Sequence, residues 1–207
     1  MVNAQAEAGA GSPWVGVVLA GGRSRRMGRD KASLLWHGRP LLQHMCALLE
    51  KAGAGRVVIS GDHPQLQAVA DRVPDLGPLG GIASVAETLD DGPILIVPVD
   101  MPRLSAGLLQ GLVRSNASCA CYEGHVMPLW IRLNAAVRVW LAWAIEQTPR
   151  QRSLQALHGA FSGISLPLPK DRQAELKNLN TPEQWRAEIA NEGAIAWPED
   201  PVQDQRG

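Results

Sequence analysis

Hydrophobic positions along the chain fall into short β-branched runs separated by stripes of helical spacing. Val15-Gly-Val-Val-Leu-Ala20 is a compact apolar run that ends at Gly21-Gly22, the pattern of a strand buried on both faces. From Pro40 to Ala52 the apolar residues Leu41, Leu42, Met45, Leu48 and Leu49 recur at helical spacing, and Gly53 supplies a stop. Arg56-Val-Val-Ile-Ser60 reads as a second strand, ending at Gly61-Asp62. Pro64 to Ala70 fits a short helix with proline in its first turn. Gly80 to Leu89 reads as a further helix, and Pro93-Ile-Leu-Ile-Val-Pro-Val99 as a third buried strand. Ser105 is placed to cap a helix over Ala106 to Ser115.

Strand, glycine turn and helix, repeated three times, predict an α/β fold: a doubly wound, mostly parallel sheet with helices on both faces, in a single domain. Such a sheet binds its ligand at the carboxyl ends of its strands. Gly21-Gly22, Ser60-Gly61 and Asp100 each follow a predicted strand, so they are expected to share one crevice. The second half is less regular. Ala117–Cys121, Pro128–Leu133 and Ile164–Leu168 are strand candidates, with helices at Asn134–Glu146 and Pro182–Ala190. Residues 1–13 and 191–207 are rich in Ala, Gly, Pro and acids and read as flexible tails around a domain at 14–190.

Composition narrows the function classes. Hydrophobic residues make up 45% of the 207 and charged residues 19%, which suits a globular protein and is too apolar for disorder. Twenty basic and twenty acidic side chains give no net charge, so a general nucleic-acid binder is not expected. No apolar run reaches the roughly 20 residues of a bilayer span. Met1 to Ser12 lacks the basic start and apolar stretch of a secretory signal. The three cysteines offer only a C-x-C at Cys119 and Cys121, neither a disulfide framework nor metal spacing, so a cytoplasmic location is expected. Seven Trp stand against one Tyr and one Phe, a skew with no functional account in the sequence.

The neutral total hides a dipole. Arg23, Arg25, Arg26, Arg29 and Lys31 are opposed only by Asp30, a local net of +4, whereas Asn191 to Gly207 carries −3 and Glu7 a further −1. The basic cluster sits directly after the first predicted strand. Adjacent glycines there let the backbone turn sharply and present N–H groups to an anion, and the Arg and Lys side chains beyond supply charge for phosphate oxygens. The bland alternative is a surface turn that happens to be basic; glycines, strand end and charge coinciding favour an anion site. Neither common phosphate loop fits. Gly22 and Gly28 have five residues between them and Lys31 is followed by Ala32, against the G-x-x-x-x-G-K-[ST] pattern, and no G-x-G-x-x-G is present. The five histidines show no ligand spacing, and no Ser-His-Asp or H-E-x-x-H arrangement is visible.

Leu19-Ala-Gly-Gly-Arg-Ser-Arg-Arg-Met-Gly-Arg-Asp-Lys31 resembles the L-A-G-G-x-S-x-R-M-G-x-D-K signature of molybdenum cofactor guanylyltransferases. Similar segments follow in order: Gly77-Pro-Leu-Gly-Gly-Ile82, Pro98-Val-Asp-Met-Pro102, Met127-Pro-Leu-Trp130 and Asn178-Leu-Asn-Thr-Pro-Glu183. The resemblance covers about Val15 to Ile189. It implies a sheet like that of nucleotide-diphospho-sugar transferases, and transfer of GMP from GTP to the terminal phosphate of molybdopterin or its metal-loaded form, with release of pyrophosphate.

The resemblance also implies roles. Leu19, Ala20, Gly21 and Gly22 would cradle base and phosphates, Arg26 and Lys31 would hold the triphosphate, and Asp100 would ligate Mg²⁺. Asp71 would face guanine or ribose, with Asp75 competing for that place. Ser60 stands where relatives often carry Asn, and as a shorter side chain its nucleotide contact is open. Asn178 and Asn180 would lie near the second substrate or cap the final helix. Partners implied are GTP and molybdopterin, with molybdenum-insertion proteins or molybdoenzyme chaperones as candidates, no nucleic acid or membrane, and a monomeric state. Alternatives are a CTP- or sugar-phosphate-using relative, or a non-catalytic nucleotide-binding regulator.

Overall fold

The computed structural model describes residues 13–21 and 31–192. Its strands are β1 (Val15–Leu19), β2 (Leu35–Trp36), β3 (Arg39–Pro40), β4 (Arg56–Ser60), β5 (Gly92–Pro98), β6 (Cys119–Tyr122), β7 (Leu129–Leu133) and β8 (Ile164–Leu166). Its helices are α1 (Leu41–Ala52), α2 (Pro78–Ala86), α3 (Ala106–Arg114), α4 (Ala135–Ala144), α5 (Leu154–Ala160) and α6 (Pro182–Glu192). Six strands form one sheet in the order β4-β1-β5-β7-β6-β8. Here β1 is parallel to both of its neighbours and β7 antiparallel to both of its own. This is the expected doubly wound, mostly parallel sheet.

Connectivity places the helices. From β1 the chain crosses through α1 to β4 on one side, then returns through α2 to β5 on the other. Crossovers of this kind are right-handed almost without exception, so reversing direction puts α1 and α2 on opposite faces. α1 packs with α3, and α2 with α4. Strand β5 is correspondingly buried along its length, with Ile94 to Val97 at most 2% exposed and no alternation of faces.

Local chemistry sets the element ends. Gly53 closes α1 with φ of 104°, donating back to Glu50 and Leu49. Ser105, Asn134 and Ser153 cap α3, α4 and α5, each side chain accepting a backbone N–H three residues on. At the start of α6, Gln184 accepts from the backbone of Asn180 and Thr181 while Thr181 Oγ1 accepts from Gln184, a capping box.

Some expectations are corrected. The helix expected over Pro64–Ala70 is a single 3-10 turn at Pro64–Leu66. Gln67 turns left-handed at φ 52°, and Val69 bridges Ser60 as an extension of the sheet edge. The hairpin β2–β3 has no counterpart in the sequence pattern. Its two-residue turn, His37-Gly38, has positive φ at both positions (48° and 75°), the form that matches strand twist. α5 and a 3-10 stretch at Lys170–Leu176 add to the expected elements, and α6 runs to Glu192, two residues into the segment expected as a tail.

The tryptophan skew is structural where it can be followed. Trp36 of the hairpin meets Trp185 of α6 edge-on at 5.7 Å, with Trp185 1% exposed. Trp14 meets Trp130 at 6.3 Å, and Trp140 lies against both Trp143 and Phe161. The first pair fastens the C-terminal helix to the segment that follows Lys31.

Replacing Trp185 by Ala is expected to lower the unfolding free energy by about 3–5 kcal/mol. Val139→Ala, at a residue 70% exposed, should stay within about 0.5 kcal/mol. Urea denaturation of the two variants measures both.

Candidate functional site

The register of the three parallel strands levels their carboxyl ends: Leu19 is opposite Ser60 of β4 and Pro98 of β5. Beyond the strands the ladder continues. Ala20 N–H donates to Ser60 O at 2.8 Å and Val99 N–H to Leu19 O at 3.0 Å. The turns after β1, β4 and β5 therefore form one rim, as the sequence predicts for Gly21, Gly61 and Asp100. Gly22 and Arg26 lie outside the described residues.

The turns approach so closely that side chains are excluded. A Cβ on Gly61, whose φ is 140°, would sit 2.8 Å from Gly21 N and 2.9 Å from Ala20 C. Only glycine meets both demands there. At Gly81 in α2 a Cβ would stand 2.5 Å from Ser60 Oγ. His63, 8% exposed, places Nε2 3.4 Å from Ala20 O and so borders the same turn, although its spacing in the sequence marks it as no ligand.

One side of the rim is acidic and partly dry. Asp71 carries its carboxylate to within 3.4 Å of the Cβ position of Gly21 and beside the same position of Gly81. Asp75 is exposed, so of the two aspartates it is Asp71 that the fold brings to the rim. Burial raises the Asp71 carboxyl above its ordinary value, and the neighbouring Ser60 hydroxyl pulls in the opposite sense. Its Oδ1 is buried without a hydrogen-bond partner. Ser60 itself is 1% exposed, so its hydroxyl serves the Asp71 pocket from beneath.

The other side is built from distant segments. Lys31 Nζ lies 3.0 Å from Asp100 Oδ2 and 2.8 Å from Asn180 Oδ1. Side chains of Lys31 and Asp100 are each 16% exposed, so the pair is open to solvent at one edge. Asp100 Oδ1 is buried and unpartnered. The strand of backbone after the Lys170–Leu176 turn is tied in directly: Leu179 N–H donates to Asp100 O at 2.9 Å, which sets half-buried Asn178 and Asn180 beside the aspartate. A set of charges behind this strand was not legible in the sequence. Glu188 of α6, 2% exposed, receives Arg103 on Oε1 and Lys177 on Oε2 at 3.1 Å. Burial alone would raise the Glu188 carboxyl, but the hydrogen bonds from Arg103 and Lys177 outweigh it and hold it below the ordinary range.

The three cysteines are free thiols, two of them buried. Burial pushes the Cys46 thiol up to about 11 and that of Cys119 to about 12, so both stay protonated and inert. Among the described residues no cluster of three or more His, Cys, Asp or Glu is arranged to hold a metal ion. A metal at this rim would need to complete its shell from a ligand, as a hard cation does with phosphate oxygens.

A doubly wound sheet with a carboxylate, an ammonium and glycine turns at its carboxyl rim is built to take a ligand there, and a phosphorylated one suits those groups. A family model for the MobA-like NTP transferase domain matches residues 16–161. The chain belongs to that family. It is 50% identical over 175 residues to the molybdenum cofactor guanylyltransferase of Xanthomonas euvesicatoria pv. vesicatoria, spanning 84% of this chain and 93% of the relative. It is 33% identical over 186 residues to the molybdenum cofactor guanylyltransferase of Pseudomonas fluorescens, spanning 81% and 89%. Among solved structures, molybdopterin-guanine dinucleotide biosynthesis protein A from Archaeoglobus fulgidus superposes with a TM-score of 0.66 at 19% identity, over 86% of this chain and 99% of that one. The 2-C-methyl-D-erythritol 4-phosphate cytidylyltransferase of Thermus thermophilus does so with 0.57 at 18%, over 85% and 98%. These two likenesses speak to the fold.

Asp71→Asn tests the dry side of the rim. The folded carboxyl titrates above its unfolded value of about 3.9, so the wild type loses stability as pH rises through the folded value. The variant has no such loss. Thermal melts should show Asp71→Asn more stable than wild type at pH 7, with the difference vanishing below about pH 4.

Proposed function

We propose that the protein transfers GMP from GTP to the terminal phosphate of molybdopterin, with or without bound molybdenum, forming the guanine dinucleotide cofactor and pyrophosphate. An oxygen of the acceptor phosphate forms a bond to the α-phosphorus of GTP. The bond from that phosphorus to the β-bridging oxygen breaks, and pyrophosphate leaves with the electron pair. The acceptor phosphate is ionised at neutral pH, so no general base is required. The work is positioning and charge neutralisation.

The observation that carries this reading is the Lys31–Asp100–Asn180 contact at the carboxyl rim. An ammonium held at a strand end by one carboxylate and one amide is a movable cation, able to leave Asp100 for phosphate oxygens when a triphosphate enters. Asp100 is also the residue suited to Mg²⁺. Its Oδ1 lacks a partner, and a single carboxylate with phosphate oxygens matches the preference of that ion. Bound there, Mg²⁺ would neutralise charge on the phosphate chain. Arg26 joins Lys31 on the triphosphate in this reading, and Gly22 completes the cradle made by Leu19, Ala20 and Gly21.

On the opposite side Asp71, backed by Ser60, is an acceptor for the donor edge of guanine or for ribose hydroxyls. Asn178 and Asn180 face the acceptor. Identity with curated guanylyltransferases along most of both chains supports GTP over CTP. The same reading makes the protein a cytoplasmic monomer that receives molybdopterin from molybdenum-insertion proteins or works beside molybdoenzyme chaperones. No described helix is long and apolar enough to cross a membrane.

Pyrophosphate release measured with Mg²⁺, molybdopterin and GTP, CTP or ATP in turn should show turnover with GTP and little with the others; a preference for CTP would overturn the assignment. Lys31→Ala and Asp100→Ala should each reduce kcat by about 10²–10³-fold, the scale for losing one preorganised charge at a reacting centre. Arg29→Ala should change it little. GTP binding that survives Asp100→Ala while no acceptor ever yields pyrophosphate would favour a regulator instead.

A further inference from the structure

We infer that Glu188 is a positioning residue that fixes the spacing between Asp100 and the Asn178–Asn180 segment, the phosphate-side carboxylate and the acceptor-facing amides of the site. The inference rests on the transfer reaction proposed above and adds a residue that touches neither substrate.

Its geometry is that of a two-armed clamp. Arg103, three residues after Asp100, holds Oε1, and Lys177, three residues before Asn180, holds Oε2 at 3.1 Å. Both site-bearing loops are thus drawn to one carboxylate. That carboxylate is 2% exposed, whereas the side chains of Arg103 and Lys177 are 35% and 52% exposed. The cations reach inward from the surface to meet it. Burying a carboxylate is costly, and an apolar side chain at a position 2% exposed would avoid that cost. What the carboxylate adds is direction, since each oxygen pins one loop at a set distance.

The loops then meet each other. Leu179 N–H donates to Asp100 O at 2.9 Å, and Lys31 joins Asn180 to Asp100 through their side chains. α6 is held in turn by its capping box and by Trp185 against Trp36. The base-side cradle at Leu19–Gly21, Ser60 and Asp71 lies on the strand ends and makes none of these contacts. The Lys31–Asp100 pair that meets the triphosphate needs neither Arg103 nor Lys177, so GTP keeps its binding groups while the Asn178–Asn180 segment shifts. Loss of the clamp should therefore separate nucleotide binding from transfer.

The test compares wild type, Glu188→Gln, which keeps shape but removes charge, and a triple variant Arg103→Met/Lys177→Met/Glu188→Met, which removes the clamp without leaving a buried unpaired charge. In both variants kcat should fall at least about tenfold while the Kd for GTP changes less than about threefold. The triple variant should melt no lower than Glu188→Gln. Hydrogen exchange by NMR gives a readout independent of activity: the Leu179 amide should lose at least about tenfold protection, with Ala20 and Val99 unchanged. A folded triple variant with wild-type kcat, or with Leu179 protection intact, overturns the inference. A fall in GTP affinity matching the fall in kcat also overturns it, because the role would then be general stability. Absence of transfer by wild type would sink the guanylyltransferase reading alone, and the Leu179 amide would still decide the role of Glu188.

Discussion

Leu19 stands level with Ser60 on one side and Pro98 on the other, and every contact at the rim depends on that alignment. Side chains alternate between faces along a strand, so a slip of one residue in either ladder would turn a whole set of side chains to the wrong face. Gly61 could then no longer nest against Ala20 and Gly21, and Asp100 would leave the reach of Lys31. β1 and β5 are apolar on both faces, which keeps them at the centre of the sheet. Register is reported by the close approaches that a slip would break: Gly61 against Ala20 and Gly21, and Gly81 against Ser60. The sheet therefore acts on function by setting where three strand ends stop.

Above this rim the two sides use different physics. At Asp71 a carboxylate is kept partly dry, with one oxygen unsatisfied and a buried serine below it. Such a group gains most when a ligand brings donors to it. At Asp100 one carboxylate oxygen is already engaged by an ammonium and the other is open, so a ligand there meets both a partner to exchange and an oxygen to fill. One carboxylate is left wanting, and the other is half satisfied.

Much of this was legible in the sequence, for identifiable reasons. β1, β4 and β5 are continuous apolar runs ending in glycine or aspartate, and α1 and α3 carry both helical spacing and a stop or cap. Asp100, Lys31, Asp71 and Asn180 sit where strand ends or the family signature place them, and the structure brings Lys31, Asp100 and Asn180 together. What escaped reading depends on contacts distant in the chain. Glu188 lies in a helix with charges around it and looks like one more solvated acid; its Arg103 partner is 85 positions away. The hairpin escaped because its strands are two residues long and its turn is His-Gly, not the usual Asn-Gly. The short helix after Pro64 failed because Val69 found a sheet edge to join.

The capping box at Thr181 and Gln184 closes a loop whose site residues come from the far end of the chain, while the glycine cradle comes from its beginning. Residues proposed to read the nucleotide and residues proposed to face the acceptor are therefore encoded in separate stretches, joined among the described residues through Lys31, the Leu179–Asp100 backbone bond and the packing of Trp36 on Trp185. Substitutions in one stretch can accumulate without passing through the other. A scaffold divided this way can change its acceptor side while keeping its nucleotide side, or the reverse.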